Sequence, residues 1–152
     1  MSIKISIKKS ISPKLVKNYV LFCDENFKIN GLNNLLLKSQ ANDINRTINI
    51  DKSDKKNFLI FNISSIQKII LIKIKKNYSS VDNEKMGGRF FNFIKNNTIF
   101  DLTFLNNNIK ATSLKNINFL DEFLHGAQLK SYVFRKYKSK KDKEIFYFNI
   151  SS

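Results

Sequence analysis

The chain contains few of the residues on which catalytic sites, metal sites and disulfides depend. Its 152 residues include one cysteine, one histidine, one proline and no tryptophan. The single cysteine, Cys23, excludes an intramolecular disulfide and suits a reducing compartment. No apolar run approaches the roughly 20 residues that a membrane-spanning helix requires, and the N-terminus lacks the apolar centre of a signal peptide. We therefore expect a cytoplasmic protein without a membrane partner.

Carboxylates are also scarce relative to cations. The chain has 12 acidic residues against 27 lysines and arginines, which gives a formal net charge of +15. Only Arg46, Arg89 and Arg135 are arginines, so the excess is almost entirely lysine. It has two interpretations: AT-rich codons, which specify lysine, asparagine and isoleucine, or a surface selected to bind phosphates. Because glycine and proline are scarce as well, the composition favours the codon interpretation.

The chain is rich in apolar material for a core. Hydrophobic residues make up 42% of it and include 14 phenylalanines, and its length suits one domain. Alternating or continuous apolar runs predict strands at residues 3–7, 19–23, 58–63, 68–74, 98–105 and 145–150, with a short edge strand at 47–50. Apolar residues at three- and four-residue steps predict helices at about 32–36, 81–96 and 116–134.

The order of these segments predicts an α/β domain in three layers. Strands 19–23 and 68–74 are apolar at successive positions, which is typical of strands that are covered on both faces. We therefore expect a mixed sheet with helices on both faces. Ser79 or Ser80 is expected to cap the helix at 81–96. In the last helix, Gly126, Ala127 and Ser131 carry little bulk, which predicts that this helix lies close against the sheet.

Neither the histidine nor the carboxylates form a convincing catalytic set. His125 lies on the last predicted helix, where a surface role is favoured over a role as metal ligand or general base. Cys23 sits in an apolar strand and is interpreted as a buried core residue. The adjacent acidic pairs at 24–25 and 121–122 cannot converge on one atom, because neighbours on a strand or helix point in different directions.

The last helix and the segment after it carry a more specific pattern than any single residue. Its members are Gly126, Leu129, Tyr132, Phe134, Tyr137 and Lys138, followed by Ser139-Lys140-Lys141. This pattern resembles the end of the N-terminal domain of the leucyl aminopeptidases, also called cytosol aminopeptidases. The resemblance implies a macro-domain-like α/β fold over residues 1–152.

The resemblance also implies where the activity of the parent enzyme would lie. Leucyl aminopeptidases remove N-terminal amino acids from peptides, using two divalent metals, zinc or manganese, that the C-terminal domain holds. The signature of that domain, Asn-Thr-Asp-Ala-Glu-Gly-Arg, does not occur in this chain. We therefore expect a chain that is inactive by itself, holds no cofactor, and serves as scaffold and oligomerisation module. Its implied partners are a catalytic domain and the other subunits of a hexamer.

Two other functions remain open. The first is nucleic-acid binding, since some members of the family bind DNA with this part of the molecule. Its candidate residues are Arg135, Lys136, Lys138, Lys140, Lys141 and Lys143. Tyr132 and Tyr137 could stack on bases there, although a solvated basic loop is the favoured interpretation. The second is a macro-like domain that binds a phosphorylated ligand. Gly87-Gly88 lies inside a helical pattern without a phosphate-loop motif, which argues against it.

Overall fold

The computed structural model describes seven stretches of the chain. They are residues 2–8, 16–23, 57–62, 66–74, 79–105, 118–137 and 144–151, with the side chains of 133–137 left aside. These stretches form strands β1 (Ser2–Lys8), β2 (Asn18–Cys23), β3 (Phe58–Asn62), β4 (Lys68–Lys73), β5 (Asp101–Leu105) and β6 (Ile145–Ser151). They also form helices α1 (Ser80–Asn96) and α2 (Phe119–Tyr137). The predicted helix at 32–36 and edge strand at 47–50 lie outside the described residues.

The six strands form one mixed sheet in the order β1-β6-β5-β2-β4-β3. All neighbouring pairs are parallel except β3 and β4, which are antiparallel. The interior strands β2 and β4 are the ones with apolar residues at successive positions, because both of their faces are buried. Towards the edge, β6 alternates exposed and buried residues instead. The predicted α/β class with a mixed sheet is therefore confirmed.

One face of the sheet packs against both described helices. Its side chains alternate along the strands and include Val20, Phe22, Ile70, Ile72, Leu102, Phe104, Phe146 and Phe148. Met86, Phe90, Phe91 and Ile94 of α1 and Phe119, Phe123, Leu124 and Ala127 of α2 complete this core. On the opposite face, Leu21, Cys23 and Leu71 are also buried, as the prediction of a sheet covered on both faces requires. The predicted burial of Cys23 is thus confirmed.

Three boundaries, which belong to two elements, lie three residues from their predicted positions. Strand β5 begins at Asp101 rather than at residue 98, because Asn97 and Thr98 form a turn after α1 in which Thr98 has a φ of 52°. Helix α2 begins at Phe119 rather than near 116, since the Asn118 carbonyl already accepts from the N–H of Glu122. It continues to Tyr137, one turn beyond the predicted end.

Helix α1 begins with a capping box, and the serine that caps it is Ser79. The Ser79 hydroxyl accepts from the Asp82 N–H at 3.3 Å, and the Ser79 N–H donates to the Asp82 carboxylate at 3.0 Å. This backbone hydrogen bond, followed by the one from the Ser79 hydroxyl, holds the pKa of Asp82 below its ordinary value of 3.8. Asp82 therefore stabilises the folded state above that value, and its contribution is lost as the pH falls through the lowered pKa.

We expect Asp82→Asn to lower the melting temperature at pH 7, with a deficit that shrinks as the pH falls below about 3.8, the ordinary pKa of Asp82. The measurement is thermal unfolding followed by circular dichroism at pH 7 and pH 3. Asp121→Asn is the charge-matched control, because it removes an exposed carboxylate from the first turn of α2. Equal deficits for the two variants at pH 7 would show that helix charge, and not the capping box, accounts for the effect.

Candidate functional site

The two helices approach each other closely through two glycines. A Cβ atom built on Gly87 of α1 would overlap the carbonyl oxygen of Phe123, and one built on Gly126 of α2 would overlap the carbonyl oxygen of Glu84. The two helices run in the same direction, because each follows a strand of the parallel part of the sheet. The expectation that Gly126 lets α2 approach the sheet is wrong: the space is taken by α1.

Polar side chains join the same two helices near their N-terminal ends. Ser80 Oγ donates to Glu122 Oε1 at 2.9 Å, and Asn83 Nδ2 donates to Glu122 Oε2 at 2.8 Å. One turn further along, His125 Nδ1 lies 3.1 Å from Glu84 Oε1. Asn83 is completely buried, and its Oδ1 meets no donor among the described residues. The contacts fix the register between α1 and α2 as well as their distance.

His125 and Glu122 show what the sequence identifies and what it misses. The side chain of His125 is 57% exposed, which agrees with the surface role that the sequence favours. Glu122 is only one half of an adjacent acidic pair in the sequence, yet it makes both hydrogen bonds to α1. The sequence does contain a signal for a polar partner of α1, since Asn83 falls four residues before Gly87 on the buried side of that helix. A buried asparagine requires a polar partner.

A groove of about 410 Å³ runs along the outer side of the contact between α1 and α2. Its lining residues are Glu84, Lys85, Gly88, Arg89, Asn92, Gly126, Leu129 and Lys130. Three of them are cations and one is a carboxylate, so the groove has a positive balance. Nothing in the sequence indicates this cluster, because its cations come from helices about 40 residues apart in the chain.

A second hollow, of about 340 Å³, lies where β2, β4 and β5 begin. Lys17, Lys68 and Phe100 contribute to its lining. Its polar groups include Asn18, whose Nδ2 donates to the backbone oxygen of Asp101 at 2.8 Å. This contact ties β2 to β5, so it serves the sheet.

The candidate residues for nucleic-acid contact lie at the end of α2 and beyond it. Arg135 and Lys136 belong to the last turn of α2, but their side chains are outside the described residues. The other four, Lys138, Lys140, Lys141 and Lys143, are entirely outside the described residues. Tyr132, the neighbouring aromatic residue, is 63% exposed. The structure therefore describes the helix that leads to this basic stretch, and the nucleic-acid contacts stay a prediction.

The family-like pattern on α2 divides between the two sides of the helix. Gly126 is buried in the contact with α1, whereas Leu129 is 50% exposed and Tyr132 is more exposed still. The side chains of Phe134 and Tyr137, and all of Lys138, are outside the described residues. The described half of the pattern thus combines a helix-packing position with two outward-facing apolar side chains.

The described residues offer no set of side chains suited to a metal. Among them, no group of three or more histidine, cysteine, aspartate or glutamate side chains could hold an ion. They therefore do not fit the pair of divalent metals that the resemblance attaches to the catalytic domain. The same part of the chain contains no helix with the length and hydrophobicity needed to cross a membrane.

Comparison with known proteins gives matches of structure but none of sequence. No protein-family model and no curated protein sequence matches the chain. Its structure is similar to a mutant of tomato leucine aminopeptidase, with a TM-score of 0.68 and 15% identity, over 99% of this chain and 32% of that one. The chain thus spans about a third of the aminopeptidase's length.

Two macrodomains are also similar in structure. The macrodomain of Thermus aquaticus DarG has a TM-score of 0.59 at 5% identity, with 99% of both chains covered. The macrodomain of Mycobacterium tuberculosis DarG has a TM-score of 0.56 at 5% identity, with 98% of both covered. At these identities the likeness concerns the fold alone. The chain has a macro-domain-like α/β fold, which it shares with one part of a leucine aminopeptidase.

Proposed function

We propose that residues 1–152 form the non-catalytic N-terminal domain of a leucyl aminopeptidase-like metallopeptidase and act as its scaffold and oligomerisation module. The observation that carries the proposal is the structural match, which takes in 99% of this chain but only 32% of the tomato enzyme. The family-like pattern from Gly126 to Lys138 supports it independently, since that pattern rests on residue types and their spacing alone. The parent protein would act in the cytoplasm on the N-terminal residues of peptides.

In this proposal the chemistry belongs to a separate domain. Peptide hydrolysis by a metallopeptidase needs metal ions that polarise the carbonyl and activate a water molecule. The described residues provide no ligand cluster for such ions, so a catalytic domain would supply the two divalent metals, zinc or manganese. Residues 1–152 contribute a rigid surface to that catalytic domain and to the other subunits of a hexamer.

We expect the purified chain to release no leucine from leucyl-p-nitroanilide when Mn²⁺ or Zn²⁺ is added. When it is mixed with a separately produced leucyl aminopeptidase catalytic domain, we expect a larger assembly by light scattering. A reading frame downstream of Ser152 that encodes the metal-ligand motif would support the proposal. Leucine release by this chain alone, or the absence of any assembly with the catalytic domain, would contradict the proposal.

A second candidate is a nucleic-acid-binding module, which the net charge of +15 and the exposed Tyr132 favour. Its contacts would be the cations from Arg135 to Lys143, with Tyr132 stacking on a base. Binding of a labelled DNA duplex should then fall steeply between low and moderate salt, because each neutralised phosphate releases a counterion. Absence of binding at low salt would remove this candidate.

A further inference from the structure

The groove between α1 and α2 is long enough for a short peptide segment. Its α1 wall extends from Glu84 to Asn92, which corresponds to about 12 Å at the helical rise per residue. Gly88 contributes no side chain to the floor, and a Cβ built there would lie 3.7 Å from both the Gly126 carbonyl oxygen and Lys130 Cβ, which is ordinary van der Waals contact. Such a length accommodates about four residues of an extended chain.

The charges of the groove favour an acidic occupant. Lys85, Arg89 and Lys130 line it, and its one carboxylate, Glu84, is engaged by His125 at 3.1 Å. Arginine binds a carboxylate through two parallel hydrogen bonds, which a lysine cannot do. A second copy of this chain is disfavoured as occupant, because each copy carries a net charge of +15.

The groove also offers an apolar contact beside its cations. Leu129, which is 50% exposed, lines it from the α2 side, and the exposed Tyr132 follows less than one turn later. A ligand that carried only negative charge would leave Leu129 in water, whereas a peptide with one apolar side chain would cover it. Burial of an exposed leucine contributes to affinity in proportion to the apolar area removed from water.

We propose that this groove binds an acidic segment of a partner protein, with carboxylates on Lys85, Arg89 and Lys130 and one apolar side chain against Leu129. The carboxylates form charge-assisted hydrogen bonds in a groove that the protein holds rigid through the glycine contacts between α1 and α2. The site does not depend on membership of an aminopeptidase, and it is distinct from the basic stretch after Arg135.

The probe is a fluorescein-labelled peptide of about eight residues, somewhat longer than the groove, with glutamates around a central leucine. Its control has glutamine in place of every glutamate. Fluorescence polarisation with the full chain should show saturable binding of the acidic peptide, weaker at high salt, and none of the glutamine peptide. Binding that is absent at low salt, or equal for both peptides, would overturn the proposal.

Two pairs of matched variants locate the site. The double variant Lys85→Gln, Arg89→Gln should weaken binding at least tenfold, whereas the charge-matched double variant Lys4→Gln, Lys17→Gln should change it less than twofold. Leu129→Ser should also weaken binding, and Ile66→Ser, which alters another exposed apolar residue, should not. Equal losses for the two double variants would mean that binding depends on overall charge, and the proposal would fail.

Two further measurements exclude other occupants. A labelled DNA duplex that bound more tightly than the peptide, and lost binding in the Lys85→Gln, Arg89→Gln variant, would assign the groove to nucleic acid and overturn the proposal. Sedimentation that showed self-association of the chain, abolished by the same variant, would assign it to a second copy and overturn it as well. An association state that the variant leaves unchanged, together with weak, variant-insensitive duplex binding, would support the acidic segment.

Discussion

Gly87→Ala and Gly126→Ala are each expected to destabilise the fold by about 3 kcal/mol, the upper part of the usual range for overpacking. The added methyl groups would overlap backbone carbonyl oxygens, those of Phe123 and Glu84 respectively. A backbone atom in a packed helix cannot move aside as the end of a flexible side chain can. The helices would have to separate, and the hydrogen bonds between Glu122 and α1 would lengthen with them.

The neighbouring glycine provides the matched control. A Cβ built on Gly88 meets nothing closer than 3.7 Å, so Gly88→Ala should cause no clash. Because alanine is the better helix former, this variant should be more stable than the natural protein by about 0.5 to 1 kcal/mol. Urea denaturation measures the free energy of unfolding of all three glycine variants. If Gly87→Ala proved as stable as Gly88→Ala, the glycine contacts would not determine the helix spacing.

The glycine contacts also bear on the proposed docking site. Gly126 lines the groove and contacts the backbone of Glu84, so the spacing that it permits determines how far Arg89 stands from Leu129. A variant that pushes the helices apart should therefore weaken acidic-peptide binding as well as stability. Gly88→Ala distinguishes a change in the groove itself from a change in helix spacing, since it keeps the spacing and adds one methyl group to the floor of the groove.

The strands could be predicted from the sequence because their signal is local. The continuous apolar runs of β2 and β4 reflect burial on both faces of the sheet, and the alternation in β6 reflects burial on one. Each pattern is complete within six or seven residues. The same holds for the start of α1, where Ser79 and Asp82 form the capping box from side chains three residues apart.

The partner of each buried face could not be predicted in this way. The small residues of α2, Gly126 among them, indicate a close neighbour, but the same pattern would arise whether that neighbour is a sheet or a helix. The contact between Gly126 and Glu84 joins residues 42 positions apart, and no local pattern encodes such a pairing. The predicted start of β5 is too early for a related reason. The turn at Thr98 depends on its left-handed φ, which a β-branched residue rarely adopts.

The two candidate sites differ in the same way, because one has a local signal in the sequence and the other has none. The basic stretch after Arg135 is visible in the sequence because its cations are closely spaced, yet the structure leaves its contacts undescribed. The interhelical groove is invisible there, because Lys85 and Arg89 on α1 meet Lys130 on α2 only after the chain has folded. A net charge therefore indicates that a positive surface exists, whereas its location requires the tertiary structure.

Phe123→Ala is the second substitution with a large expected effect, a loss of about 3 to 5 kcal/mol in the free energy of unfolding. Phe123 is completely buried on α2, and its ring lies 5.5 Å from that of Phe22 and 5.3 Å from that of Phe90. It also contacts Phe104 of β5 and Phe119 of its own helix. Its removal would leave a cavity where α1, α2 and the sheet meet, and rigid neighbours on three sides cannot close it.

Phe100→Ala is the control for this substitution, because Phe100 is 38% exposed and its described ring contact is with Phe146 alone. The free energy of unfolding lost in Phe100→Ala should be a fraction of that lost in Phe123→Ala, since water can occupy the space that is vacated. Urea denaturation with a common m-value gives both free energies. Similar losses for the two variants would show that the phenylalanine cluster does not carry the contact between the helices and the sheet. A large difference would identify Phe123 as the residue through which α2, and with it one wall of the groove, is fixed to the fold.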